Sequence, residues 1–315
     1  MTTTKRPVRR PALLGYDGPE HARQRKLVLS AFTPKRIGAL RPTLSRIVAE
    51  QLDTLIAAGP PADLVSLFAM PVPSRVIFAL LGVPYTDHAF LEQQARLRFD
   101  PDLGGAALDE LRDYLTQLIS AKHSDPGDGL LDDLISRQAD PIELVDIAQT
   151  LLIAGHVTTS SMIAYGTLAL LENRDQLTVF READQEETSN FIEELLRFIS
   201  LDTGMLPRVA TTEIEIGGRR ISEGDAVFVA TGVANYDETL VERPGELDLH
   251  RSTPVRHLSF GHGIHHCLGH NLARAELQIA FSALMGRLPS LRLAVPADRI
   301  TITPGSGPDS LPVTW

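Results

Sequence analysis

The chain has one cysteine, Cys267, in the run Phe260-Gly261-His262-Gly263-Ile264-His265-His266-Cys267-Leu268-Gly269, which leads into His270-Asn271-Leu272-Ala273-Arg274. Glycines on both sides of the sulfur make a tight loop, and the amphipathic pattern after it starts a helix. That order puts a thiol at a helix N-terminus, where free N–H groups and the positive dipole end favour the thiolate. A thiolate held in this way is suited to be an axial ligand for haem iron. Two other readings stand beside it. A lone cysteine also serves as a small buried hydrophobe. The crowd of His262, His265, His266, Cys267 and His270 could hold zinc, although a structural zinc site calls for paired ligands with a distant second pair, and no second cysteine exists.

The stretch resembles the haem-binding loop of the cytochrome P-450 haem-thiolate monooxygenases in its bacterial form, F-G-x-G-x-H-x-C-L-G-x-x-L-A-R, with nearly every fixed position filled. The resemblance extends from about Leu14 to Trp315. It implies a mainly α cytochrome P-450 fold with a long central helix and a small β-rich region, built as a single haem-binding domain over 1–315. It also implies haem b on the Cys267 thiolate, with Phe260 and Gly269 shaping the loop against the cofactor.

Four further groups of residues take on roles through the same resemblance. Ala154-Gly155-His156-Val157-Thr158-Thr159 could by itself be helix packing or a kink. In the family it matches the oxygen-binding groove, with Ala154 and Gly155 leaving room for dioxygen and Thr158 supplying a hydroxyl that relays protons. The acid often found before that threonine is Val157 here, so water or substrate groups must stand in for it. Glu194 and Arg197, three apart on a helix, read alone as a surface ion pair. In the family this pair is buried and locks the core beside the cysteine loop, packing on a segment that corresponds to Asn235 to Arg251. An arginine is common where this chain has Glu246, so the residues leave the pair's third partner open.

His21 and Arg25 share a helix face and could be a solvated basic patch. In the family they donate to the haem propionates, as do the residues matching Arg208 and His265, and charge-assisted bonds of that kind are strong. The substrate side corresponds to Leu152, Ala154 and Gly155, to Leu201–Leu206 with Asp202 and Thr203 as polar anchors, and to the turn around Gly305–Ser310.

The elements that must position these residues are legible in outline. Asp17-Gly18-Pro19-Glu20 starts a helix, with the acid as cap. Helical periodicity continues past Pro34. Further helices are expected at 74–82, 86–96, 106–122, 128–137, 140–172, 187–199 and 268–286. The 140–172 helix is apolar around most of its circumference and belongs in a core. Glu213–Ile216 alternates as a strand, Gly217-Gly218 signals a hairpin turn, and Ala226–Ala230 reads as a buried strand. Short strands are expected at 291–293 and 311–313.

The chain's 315 residues, 43% hydrophobic and 22% charged, can bury a large core. A net charge of −10 argues against general nucleic-acid binding. One cysteine excludes an intrachain disulfide and fits a reducing cytoplasm. No secretory signal or segment approaching the roughly 20 apolar residues of a membrane span is apparent. The family carries a further N-terminal segment before the Asp17 helix, whereas 16 residues precede Asp17 here. Short sheets and exposed apolar surface are therefore expected.

The expected activity is a cytoplasmic haem-dependent monooxygenase acting on a small organic substrate, plausibly in secondary-metabolite tailoring. Electrons would come from NAD(P)H through a ferredoxin reductase and a ferredoxin docked near Arg23, Lys26 and Arg274. Two alternatives are a non-catalytic P-450-like helper of a partner enzyme, a class that by resemblance lacks the cysteine, and a peroxide-using haem enzyme, which Val157 permits.

Overall fold

Helix starts follow local chemistry. The computed structural model describes residues 10–97, 102–201, 207–251, 257–303 and 307–315. Among these the α-helices are α1 Gly18–Val28, α2 Pro34–Ala58, α3 Pro71–Leu81, α4 His88–Leu97, α5 Gly104–Ser124, α6 Leu130–Ser136, α7 Pro141–Glu172, α8 Arg174–Glu182, α9 Gln185–Phe198, α10 Thr231–Ala234 and α11 His270–Arg287. Prolines open α1, α2 and α3 within their first two positions, where a missing N–H costs nothing. Asp184 caps α9 by accepting from the N–H groups of Glu186 and Glu187, and Glu187 returns a bond to the Asp184 N–H. Asp17 stands at the N-cap of α1, but its carboxylate makes no capping bond there.

The strands are β1 Ala62–Asp63, β2 Arg208–Val209, β3 Ile214–Ile216, β4 Arg219–Ile221, β5 Ala226–Val227, β6 Arg292–Leu293, β7 Ile302–Thr303, β8 Gly307–Pro308 and β9 Pro312–Thr314. The chain divides into two compact units. One comprises residues 1–59, 66–160 and 268–280, and the other 60–65, 161–267 and 281–315.

In the first unit α3, α5 and α7 share a core. Val76, Ile77 and Phe78 of α3 join Leu111 and Leu115 of α5 and Leu144, Ile147, Leu151 and Leu152 of α7 in one buried cluster. Contrary to the sequence expectation, α7 is long and apolar enough by composition to cross a bilayer, yet 67% of that stretch is buried within the protein. Its all-round apolarity therefore serves a core.

Glu276 on α11 is 2% exposed, and its Oε2 has no hydrogen-bond partner. Burial pushes its carboxyl well above the usual range, so the folded protein holds a proton there that the unfolded chain releases near pH 4.3. The folded state then binds more protons than the unfolded one between those two pKa values, and stability falls as pH rises through that window. Glu276→Gln should flatten this fall. In melting curves from pH 5 to 8 the variant should gain on the parent toward the alkaline end, and an unchanged slope would contradict the assignment.

The second unit is held by aromatic packing and short sheets. Phe180 lies 6.1 Å from both Phe191 and Phe281, ring centre to ring centre. Gly166 of α7 lets Phe281 approach so closely that an added Cβ would sit 2.4 Å from its ring. β9 is flanked antiparallel by β1 and β6, with Ala62 and Leu293 both opposite Val313. β3 and β4 form the expected hairpin, Ile214 opposite Ile221, and Gly217 and Gly218 supply the positive φ angles of the turn.

The 226–230 expectation needs correction. Only Ala226 and Val227 are in a strand, paired with Val209 and Arg208, and Phe228 and Val229 are 63% and 53% exposed. A continuous apolar run predicted a buried strand, but among the described residues nothing covers that face. Val209 and Val233 are likewise 64% and 72% exposed.

Candidate functional site

In the second unit the cysteine loop is shaped by backbone geometry. Gly261 and Gly263 have φ of 68° and 78°, a region that favours glycine. A turn of 3₁₀-helix spans Gly263–His265, and the Cys267 N–H donates to the Phe260 carbonyl at 2.8 Å, closing the loop. Cys267 is half-buried, and so is His265. In the chain Cys267 stands three residues before the first residue of α11.

The stem of this loop is tied to α9 by polar side chains that sequence reasoning missed. Asn235, buried, accepts from the Leu258 N–H at 2.7 Å and donates to Ser259 Oγ at 3.0 Å. Ser259 Oγ in turn donates to the Leu196 carbonyl at 2.6 Å. His257 Nε2 lies 3.1 Å from a Glu193 carboxylate oxygen. Asn235 had been placed only as the start of a packing segment, and His257 and Ser259 carry no recognisable spacing.

The Glu194–Arg197 pair is buried, which departs from the surface reading it would have alone. Arg197 is 0% exposed. Its Nε and Nη2 grip the two Glu194 oxygens at 2.7 and 2.8 Å. Its remaining donors reach the carbonyls of Asn235 (3.1 Å), Pro244 (2.8 Å) and Glu246 (3.1 Å). All five guanidinium N–H groups are thereby used. The third partner is Arg251, whose Nε lies 3.3 Å from Glu194 and whose other nitrogens donate to the carbonyls of Glu242, Arg243 and Glu246. Glu246 thus contributes its carbonyl to the cluster, while its side chain pairs with Arg243 at 2.6 Å. Arg208 sits exposed on β2.

In the first unit, Ala154 and Thr158 lie exposed on one face of α7, and the Thr158 hydroxyl donates to the Ala154 carbonyl at 2.9 Å. Gly155, half-buried, faces α3. A Cβ there would meet Ile77 Cδ1 of α3 at 3.2 Å, so the two helices pack closely at this point. His156, buried on the far side of α7, is 2.5 Å from Ser74 Oγ. On α1, His21 is buried and Arg25 half-buried.

Two of the three expected docking cations are engaged. Arg23 pairs with Glu20 at 2.7 Å and with Glu143, and Arg274 contacts His270 Nδ1 at 2.8 Å. Lys26 is exposed. The substrate-side residues 202–206, including Asp202 and Thr203, and residues 305 and 306 lie outside the described residues.

Three comparisons extend these observations. The sequence model of the family described as cytochrome P450 matches residues 85–291. Pentalenic acid synthase of Streptomyces avermitilis is 51% identical over 98% of this chain and 78% of its own length. The crystal structure of GfsF superposes with a TM-score of 0.92 at 42% identity, covering 97% of this chain and 80% of that one. That of CYP105P1 in complex with filipin I superposes with a TM-score of 0.90 at 42% identity, covering 97% and 80%.

Proposed function

Because the chain belongs to the cytochrome P450 family, we propose that it is a tailoring monooxygenase for a small organic metabolite, working as one haem-binding domain over residues 1–315 in the cytoplasm. Family membership makes it an oxidoreductase with haem b as cofactor. When bound, haem b supplies the activation of dioxygen and the transfer of one oxygen atom to substrate.

The observation that carries the reading is the Cys267 loop. Its backbone is shaped by the positive φ angles of two glycines and by the Cys267 N–H bond to the Phe260 carbonyl, and the thiol is half-buried. The residues fit the cofactor. An added Cβ at Gly261, Gly263 or Gly269 would meet nothing within 4 Å, which leaves the loop open to a flat group. In this reading Cys267 holds the iron as thiolate, and His21, Arg25, Arg208 and His265 donate to the two propionates. The Glu194–Arg197–Arg251 cluster and Asn235 keep the loop stem in register. Such positioning lets the loop meet the cofactor without reorganising.

The Thr158 hydroxyl keeps its proton and donates it in a hydrogen bond to the Ala154 carbonyl. With valine at 157, protons reach that hydroxyl through water rather than through a neighbouring carboxylate. Thr158→Ala should leave the thiolate spectrum intact and let oxygen consumption continue, while product per oxygen consumed falls by roughly 10². Equal coupling in variant and parent would remove Thr158 from the relay.

Electrons come from NAD(P)H through a reductase and a ferredoxin. Lys26 and Arg23, both exposed, and Arg274 supply the docking charge for an acidic partner. The relatives named above support the substrate class, since one is titled a pentalenic acid synthase and another was crystallised with filipin I. The test is the spectrum of the reduced protein under carbon monoxide. A red-shifted Soret band is expected, and a haem-free preparation after haem supplementation would refute the reading.

A further inference from the structure

The second unit contains a cavity of about 620 Å³ to which no residue assigned to the cofactor or to oxygen contributes. Its volume lies in the range of small-molecule sites. It opens between the last turns of α7, the end of α9, α10 and β7. The walls are apolar and aromatic, with Tyr165 and Leu168 from α7, Phe198 from α9, and Tyr236 just after α10.

Three features give this cavity a negative character. Glu172, the last residue of α7, stands exposed at its rim. The 14-residue α9 ends at it, and a helix C-terminus carries partial negative charge, whereas the end of α7 is capped by Asn173, where α8 begins. The rings present π-faces, which attract cations. Among the described residues, the guanidinium of Arg197 lies 5.6 Å from the centre of the lining Tyr236 ring, and its charge is matched by Glu194. Ser200 also lines the cavity, and its hydroxyl is buried with no hydrogen-bond partner. The net charge of −10 draws cations toward the protein as a whole.

We propose that this cavity is a second binding site, separate from the monooxygenase centre, for an amphipathic organic cation: an ammonium group at Glu172 and the end of α9, with an apolar body against Tyr165, Leu168 and Phe198. The site does not depend on the assigned reaction.

Calorimetric titration of the haem-loaded protein with benzyltrimethylammonium tests it, because a quaternary nitrogen cannot ligate iron. Saturable binding that leaves the Soret band unmoved is expected. Glu172→Gln should weaken binding about tenfold, Ala169→Leu should abolish it by filling the cavity, and benzenesulfonate, of similar size but opposite charge, should not bind. The melting temperature of each variant checks that the fold persists, and the carbon-monoxide spectrum of the same sample reports independently on the haem assignment. Equal binding of cation and anion, no effect of Glu172→Gln, no binding at all, or binding only with a Soret shift would each overturn the proposal.

Discussion

Cys267→Ala is expected to give a folded protein whose reduced form under carbon monoxide lacks the red-shifted Soret band and which forms no product. The fold should persist because the loop is held by main-chain features. The Cys267 N–H bond to Phe260 and the positive φ angles of Gly261 and Gly263 are all independent of the side chain at 267. The chemistry should vanish because this is the chain's one thiol, and thiolate donation is what distinguishes this class of haem from histidine-ligated ones. His262, His265, His266 and His270 stand nearby in sequence and could offer nitrogen in its place. A histidine substitute would shift the spectrum without restoring the thiolate band. Absorption spectra of parent and variant at equal haem content decide the matter, and a retained red-shifted band would remove Cys267 as ligand.

The second large effect concerns stability. Arg197→Met should destabilise the protein by about 3–5 kcal/mol, the usual cost of leaving one member of a buried ion pair uncompensated. The variant strands Glu194, 6% exposed, and removes the donors that Asn235, Pro244 and Glu246 use. Arg251 at 3.3 Å relieves part of the charge but cannot replace the bidentate grip. Since domains are typically stable by only about 5–15 kcal/mol, much of the variant should be found insoluble or haem-poor. Arg197→Lys keeps the charge but loses the fork, and should fall between the two. Urea unfolding of all three proteins provides the comparison. A loss below about 1 kcal/mol for Arg197→Met would put the pair in the class of surface bridges.

These expectations show what sequence reading can and cannot reach. The Phe260–Gly269 loop was legible because its constraints are local. Positive φ angles demand glycine, and a backbone bond seven residues long closes within the motif. The long helix was legible for the same reason, since periodicity and capping act within a few turns. α8, the short α10 and the proline inside α2 at Pro42 left weaker signals and were not singled out. The hairpin turn at Gly217-Gly218 was read correctly from the demands of its backbone, while the adjacent 226–230 segment was read as buried when most of it is exposed. Strand burial depends on what lies against the strand, and no local pattern carries that information.

Composition and short-range pattern determined the mainly α fold, the helix positions and the family to which the thiol loop belongs, because each rests on interactions between residues a few positions apart. Tertiary structure alone decided that Arg251 completes the Glu194–Arg197 cluster, that Asn235 and Ser259 moor the cysteine loop to α9, that Gly155 is packed on Ile77, and that Arg23 pairs with Glu143. Each of those contacts joins residues tens to more than a hundred positions apart, and only packing in three dimensions determines which distant groups meet.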